Sequence, residues 1–228
     1  MTTGSGMTCY DKRFWLLVVG LSGVAGYVDA IGFIKLAGLF VSFMSGNSTW
    51  LGVGAVTDPQ TAVTAMCVVS AFVAGVMAST LIAVAAGSRR KPVVLVFVAA
   101  ILAIAAIGNG RFPDEWTAVA LAMSMGAVNT VFQRSGEVSI GVTYMTGTLV
   151  KLGQRMAGAL VGGPPWAWLP YLVLWGTLVG GAAVGTIAHS RRGTISIWIA
   201  AAAMMLLSCY AAILGPVEPA AARSPKDA

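Results

Sequence analysis

One short pattern occurs twice in this chain, and it constrains the fold more than any other feature. Residues 41–52 read VSFMSGNSTWLG and residues 142–153 read VTYMTGTLVKLG. Each copy follows an apolar stretch with a polar residue at a matched place, Asp29 before the first copy and Asn129 before the second. Such a period indicates an internal duplication, and duplicated membrane proteins often bind their substrate where the two halves meet.

The duplication divides the chain into four parts. We predict a flexible N-terminus at 1–13, a first membrane repeat at 14–110, a second membrane repeat at 111–215 and a flexible tail at 216–228. Both ends are short and rich in small residues or proline, which is typical of termini that pack against nothing.

The composition sets the class of protein. Hydrophobic residues make up 57% of the chain and charged residues 10%, whereas soluble domains carry roughly 25% charged residues. The mean hydropathy is +0.84. A soluble core does not need so much apolar surface, so these values predict an all-α polytopic membrane protein in contact with a lipid bilayer.

Six apolar runs are bounded by charged residues, proline or glycine, and each is near the ~20 residues that a helix needs to cross a bilayer. They predict transmembrane helices at about 14–35, 61–87, 92–109, 115–133, 167–189 and 194–214.

The two motif segments, 38–56 and 138–160, differ from these runs because glycine and hydroxyl residues interrupt them. We expect breaks or close contacts at Gly46 and Gly147, and such breaks survive in a membrane only where protein or water satisfies the backbone. If both segments are re-entrant, each half crosses three times and the halves are inverted. If both cross, the halves are parallel. Positive-inside counting favours the inverted arrangement.

The formal net charge of +6 fits lysine and arginine retained in cytoplasmic loops. This interpretation places Arg89, Arg90 and Lys91 on the cytoplasmic side. No nucleic-acid partner is expected, because the basic residues form no patch on a soluble fold.

Asp29 is the leading candidate site residue because it lies well inside its predicted helix. A carboxylate at the bilayer centre costs about 2.5–3.5 kcal/mol on insertion scales, so Asp29 must be paired, hydrated or protonated. It is either a site for a proton or cation, or a structural residue that binds a broken segment. We expect it to face the protein interior.

The motif segments supply the other candidates for binding a substrate or an ion. Together with Asn129, these are Ser45, Gly46, Asn47, Thr146, Gly147 and Thr148. Amide, hydroxyl and freed backbone groups beside a break can coordinate an ion or a polar substrate. The alternative is that they form hydrogen bonds between helices. We expect the two segments to lie against each other.

The remaining polar residues point to no catalytic or metal chemistry. Lys151 and Arg155 either attract an anion, pair with Asp29 or Glu137, or extend to the membrane surface. His189 is predicted to lie at the membrane interface. The sequence has no second histidine and no Cys/His cluster, so a metal site has little support. We therefore predict no enzyme activity, no cofactor and no bound metal.

The block Gly26-Tyr-Val-Asp-Ala-Ile-Gly-Phe33, followed by Gly38-Leu-Phe-Val-Ser-Phe-Met-Ser-Gly-Asn47, resembles the YoaK family of small bacterial membrane proteins. The resemblance runs from about Phe14 to Leu214. It implies a multi-pass protein of the bacterial inner membrane with about six helices. The family is catalogued as a domain of unknown function, so the resemblance transfers no residue roles.

Together these features favour a small transporter or permease, with a polar centre between two repeats that binds a small polar or ionic substrate. A chain of this size encloses only a narrow cavity, so a homodimer is expected. The alternative is a non-transporting accessory or scaffold protein in which the motifs serve helix packing.

Overall fold

The structure, a computed structural model, describes residues 12–134, 137–138 and 143–215. It is an all-α polytopic membrane protein, as the sequence predicts. The helices are α1 (Lys12–Lys35), α2 (Met44–Thr57), α3 (Pro59–Ala86), α4 (Arg90–Gly108), α5 (Asp114–Val128), α6 (Met145–Leu160), α7 (Leu169–Arg192) and α8 (Ile195–Leu214). A short antiparallel pair, β1 (Gln133–Arg134) and β2 (Glu137–Val138), follows α5. Apart from Lys12 and Arg13, the two predicted flexible ends lie outside the described residues.

Four helical stretches are long and apolar enough to cross a membrane: Phe14–Lys35, Pro59–Gly108, Leu169–Arg192 and Ile195–Leu214. The second stretch contains both α3 and α4, which are joined by a 3-10 turn at Gly87–Arg89. Helix α5 is shorter, and a 3-10 turn at Asn129–Phe132 extends it. All six helices predicted from apolar runs are therefore present, with bounds shifted by a few residues.

Local sequence explains where helices begin and end. Asp58 caps α3, because its carboxylate accepts the N–H of Gln60 at 3.2 Å and the hydroxyl of Thr61 at 2.6 Å, and Pro59 occupies the first helical position. Gly87 ends α3 and Gly193 ends α7 at positive φ, +53° and +50°, which glycine adopts without steric cost.

Contacts at the helix ends fix the helix directions. At one end of the bundle, the ammonium of Lys91 at the start of α4 lies over Phe14 of α1 and near Phe132 after α5. At the other end, Lys35 at the end of α1 forms an ion pair with Asp114 at the start of α5. We call these the Lys91 end and the Lys35 end. Helices α1 and α5 therefore run in opposite directions.

The same reasoning orients α8 and α7. Ser208 near the end of α8 donates to the carbonyl of Pro92, so α8 finishes at the Lys91 end. Ser196 at its start accepts from Tyr27 and lies 3.3 Å from His189 of α7. Helices α1, α4 and α7 thus run toward the Lys35 end, and α3, α5 and α8 return.

The motif segments do not cross. After Lys35 the chain turns back, and Leu39 and Val41 are buried beside α1. Helix α2 then starts level with Asp29 and ends at Thr57, two residues before Pro59, at the Lys35 end. It has 14 residues, about 21 Å of helix, which is too short to span a hydrocarbon core of about 30 Å. The described part of the second segment, α6, has 16 residues and lies in the chain between α5, which ends at the Lys91 end, and α7, which starts there.

The expectations about these segments hold only in part. Gly46 and Gly147 lie in the first turns of continuous helices and not at breaks, because the irregular chain precedes Met44 and Met145. Gly46 does make the expected close contact, since a Cβ there would overlap the ring of Phe43, whereas a Cβ on Gly147 would meet nothing within 4 Å among the described residues. The two segments also do not form one of the principal interfaces of the described residues, since α2 packs on α3 and α6 packs on α7. Their opposite entry sides explain this separation.

Candidate functional site

Asp29 binds the chain that follows its own helix. Its Oδ1 accepts the backbone N–H of Val41 at 2.9 Å and that of Ser42 at 2.8 Å. Hydrogen bonds to an ionised acceptor are about twice as strong as neutral ones. The carboxylate therefore holds the linker, which we define as residues 36–43, against the last turns of α1.

Asn47 holds the same linker from the other side. Its side chain is fully buried, its Oδ1 accepts the N–H of Phe40 at 2.9 Å, and its Nδ2 donates to the carbonyl of Phe40. The amide thus pairs with the backbone of Phe40 much as a neighbouring strand does. Asp29 and Asn47 together satisfy three consecutive backbone N–H groups where no helix ladder exists, which a membrane interior requires.

The second half repeats this arrangement with neutral groups. The Oδ1 of Asn129 accepts the N–H of Thr143 at 3.4 Å, and its Nδ2 donates to the hydroxyl of Thr143 at 3.0 Å and to the carbonyl of Met125 at 2.9 Å. Asn129 and Thr148 are both buried, and Thr148 donates to the carbonyl of Tyr144. The polar residues of this cluster are thus shielded from the surroundings, whereas Asp29 remains partly exposed.

The other candidates lie outside both clusters. Ser45 and Thr146 are exposed, Gly46 lies against the ring of Phe43, and Gly147 has open space around its Cα. Asp29 lies toward the Lys35 end and Asn129 toward the Lys91 end. The structure therefore divides the expected polar centre into two clusters near opposite ends of the bundle.

A groove of about 370 Å³ opens beside Asp29, between α1 and α7. Its walls include Ala30, Phe33, Phe40 and Leu178, which are apolar, and Thr186, whose hydroxyl donates to its own helix. Among the described residues, Asp29 is the single ionisable one that lines this groove. A charged or protonatable group entering the groove would meet one carboxylate in an apolar surrounding.

Several cations and contacts depart from the sequence interpretation. Lys151 and Arg155 are exposed on α6, which enters from the Lys91 end, so they do not reach Asp29. Lys91 is buried, although its sequence position suggested a loop cation. Pro92, which follows Lys91 and opens an apolar run, is the one sequence signal that Lys91 belongs to a helix. Among the described residues, no three His, Cys, Asp or Glu side chains group as a metal site.

Comparison with known proteins gives the family. Residues 17–210 match the model of a family described as "Protein of unknown function (DUF1275)". The chain is 33% identical over 200 residues to the UPF0700 transmembrane protein RA0705 of Rhizobium meliloti, covering 86% of this chain and 84% of the relative. It is 28% identical over 162 residues to the UPF0700 transmembrane protein YoaK of Bacillus subtilis, covering 68% and 72%. No solved structure matches. The chain therefore belongs to the DUF1275 family of transmembrane proteins, the YoaK family that its motif block indicates.

Proposed function

We propose that this protein is a small transporter that binds a proton or a small cation at Asp29. The observation that carries the proposal is a single carboxylate, placed in a membrane helix, that lines an otherwise apolar groove and holds a re-entrant linker. Ionisable residues inside membrane segments are expensive and commonly mark ion or proton pathways. Of the other carboxylate residues in the described chain, Asp58, Asp114 and Glu115 lie at helix starts and Glu137 lies in β2.

Binding of a proton or cation at Asp29 would be coupled to movement of the linker. Neutralising Asp29 with a proton or cation would weaken two charge-assisted hydrogen bonds, from about 1.5–3 kcal/mol each toward the 0.5–1.5 kcal/mol of neutral bonds. The linker reverses at Ala37 and Gly38, with φ of +49° and +118°, and positive φ strains alanine. Binding at Asp29 would therefore favour release of a segment that is held under strain.

An inverted duplication would place two such segments on opposite sides of the membrane, as alternating access requires. Helix α1 packs on α7 as α5 packs on α3. At these crossings a Cβ on Gly26 or Gly126 would overlap the carbonyl of Leu178 or Phe72, respectively. Matched close approaches in opposite directions support two related, inverted halves.

We also propose an inner-membrane protein whose Lys91 end is cytoplasmic. The Lys91 end carries Arg89, Arg90 and Lys91, Arg134 of β1 and the two cations of α6, against one carboxylate residue of the described chain, Glu137 of β2. The Lys35 end carries its cations beside Asp58, Asp114 and Glu115. Positive-inside asymmetry therefore supports this orientation.

Flux measurements in liposomes test the transporter. The purified chain would be reconstituted with a pH-sensitive dye inside, and gradients of Na⁺, K⁺ or methylammonium would be imposed. We expect proton movement above that of empty liposomes for the native protein and for the control Glu115→Gln, an exposed carboxylate outside the groove. Asp29→Asn should reduce the flux to background while the protein still folds, with a melting temperature above that of Asp29→Leu.

The contrary result favours a non-transporting accessory or scaffold protein. One observation supports that alternative: Asn129 holds its segment by the same type of bonds without a charge. If the folded native protein gives no flux for any of these gradients, or if Asp29→Asn moves protons as fast as the native chain, Asp29 serves packing and the transporter proposal fails.

A homodimer is proposed from a second groove. A volume of about 520 Å³ lies on the α1, α7 and α8 surface, lined by Gly20, Gly23, Gly180 and Gly181 among apolar side chains. Small residues let membrane helices approach closely. We expect a dimer by light scattering in detergent and a monomer for Gly180→Leu, because a Cβ at Gly180 meets nothing within 4 Å among the described residues. A dimeric Gly180→Leu protein would contradict this interface.

A further inference from the structure

A cavity lined by cations lies at the Lys91 end, away from Asp29. It has a volume of about 560 Å³ and lies between the connection of α3 to α4 and the end of α8. Three consecutive cations line it, Arg89, Arg90 and Lys91, and its apolar walls come from Pro92, Ala211 and Ala212. We call it the basic cavity.

Lys91 is the unusual member of this set. Its side chain is only 7% exposed, and its Nζ has no hydrogen-bond partner among the described residues. The ammonium lies 3.8 Å from the ring centroid of Phe14 and 5.7 Å from that of Phe132. Aromatic faces attract a cation, but they supply only a part of what an ammonium loses when water is removed.

No counter-charge for these cations is found among the described side chains. The described salt bridge joins Lys35 and Asp114, at the far end of the bundle. The cavity also contains the start of α4, where the helix dipole favours an anion. The two arginines, the start of α4 and the unpartnered ammonium of Lys91 all favour the same kind of ligand. That ligand is a negative group with several acceptor oxygens.

We propose that the basic cavity binds a phosphate group, held by Arg89 and Arg90 at its mouth and attracted by the charge of Lys91 at its base. Phosphate oxygens accept from guanidinium groups in pairs, which suits the two arginines. The apolar walls can receive the glycerol and upper acyl atoms of a phospholipid. Two sources have this chemistry: the headgroup of an anionic lipid and a free phosphate ion.

Lipid binding to the full chain tests the proposal. The protein would be purified in detergent and titrated with phosphatidylglycerol, with phosphatidylcholine as the zwitterionic comparison, while native mass spectrometry counts bound lipid. We expect selective retention of phosphatidylglycerol and about fivefold weaker binding for each cation removed. Lys91→Gln removes the buried charge, and Arg89→Gln with Arg90→Gln removes the two at the mouth. The double variant alters residues that do not fill the core, so it remains informative if Lys91→Gln does not fold.

A matched control and a second ligand complete the experiment. Arg191→Gln with Arg192→Gln removes two cations at the Lys35 end and should leave binding unchanged. Inorganic phosphate, added at constant ionic strength against chloride, should raise the melting temperature if a free ion is the source, and both sources then support the proposal. Equal retention of the two lipids with no effect of phosphate, or equal losses in the control and the Arg89 and Arg90 variant, would overturn it.

Discussion

Replacing Asp29 with leucine should destabilise the protein far more than replacing it with asparagine. Leucine removes the acceptor of two N–H groups, those of Val41 and Ser42, which are both buried residues. A buried donor without a partner costs about 1–3 kcal/mol, so the two together cost roughly 2–6 kcal/mol. The linker also loses its attachment to α1, so α2 should loosen with it.

Asparagine keeps an acceptor of the same shape and loses only the charge. Exchanging two charge-assisted bonds for neutral ones costs about 1–3 kcal/mol in total. The second half already works this way, since the Oδ1 of Asn129 accepts the N–H of Thr143. We therefore expect Asp29→Asn to fold and Asp29→Leu to be about 1–3 kcal/mol less stable than Asp29→Asn.

The assay is equilibrium unfolding in mixed micelles with increasing SDS, followed by tryptophan fluorescence. Ser45→Ala is the control, because Ser45 is exposed and its hydroxyl lies outside the linker bonds. Its free energy of unfolding should match that of the native chain. If Asp29→Leu unfolds at the same SDS fraction as Asp29→Asn, the two backbone bonds do not hold the linker and the reasoning is refuted.

Two further predictions concern packing and orientation. Gly126→Ala should cost about 1–3 kcal/mol, because the new Cβ would overlap the carbonyl of Phe72. Gly147→Ala is the control, and it should leave the melting temperature unchanged because the new Cβ meets open space. Equal melting temperatures for the two variants would contradict the close approach of α5 and α3 at Gly126. A cysteine at exposed Arg89, with the three native cysteines replaced, should resist an impermeant thiol reagent added to intact cells, and ready labelling would reverse the orientation.

Much of the membrane architecture follows from the sequence alone. Each long helix was predicted because apolar length and bounding charges, glycines and prolines act locally, and residues such as Asp58 and Pro59 start a helix wherever it packs. The repeated motif likewise predicted two irregular segments. Asp29 could be singled out because the cost of a carboxylate in lipid does not depend on its partners.

Only the tertiary structure decided what those residues meet. Hydropathy reports the transfer of single residues into lipid, and it says nothing about which helices cross or where a chain turns back. The sequence therefore left both re-entry and crossing open, with a preference for re-entry from positive-inside counting alone, and the fold-back of Val41 onto Asp29 is visible only in the structure. The opposite directions of α1 and α5 separate Asp29 from Asn129, although their motifs predicted one centre. Burial of Lys91 under Phe14 also depends on helix packing, because the two residues are distant in sequence and meet only when α1 and α4 start at the same end.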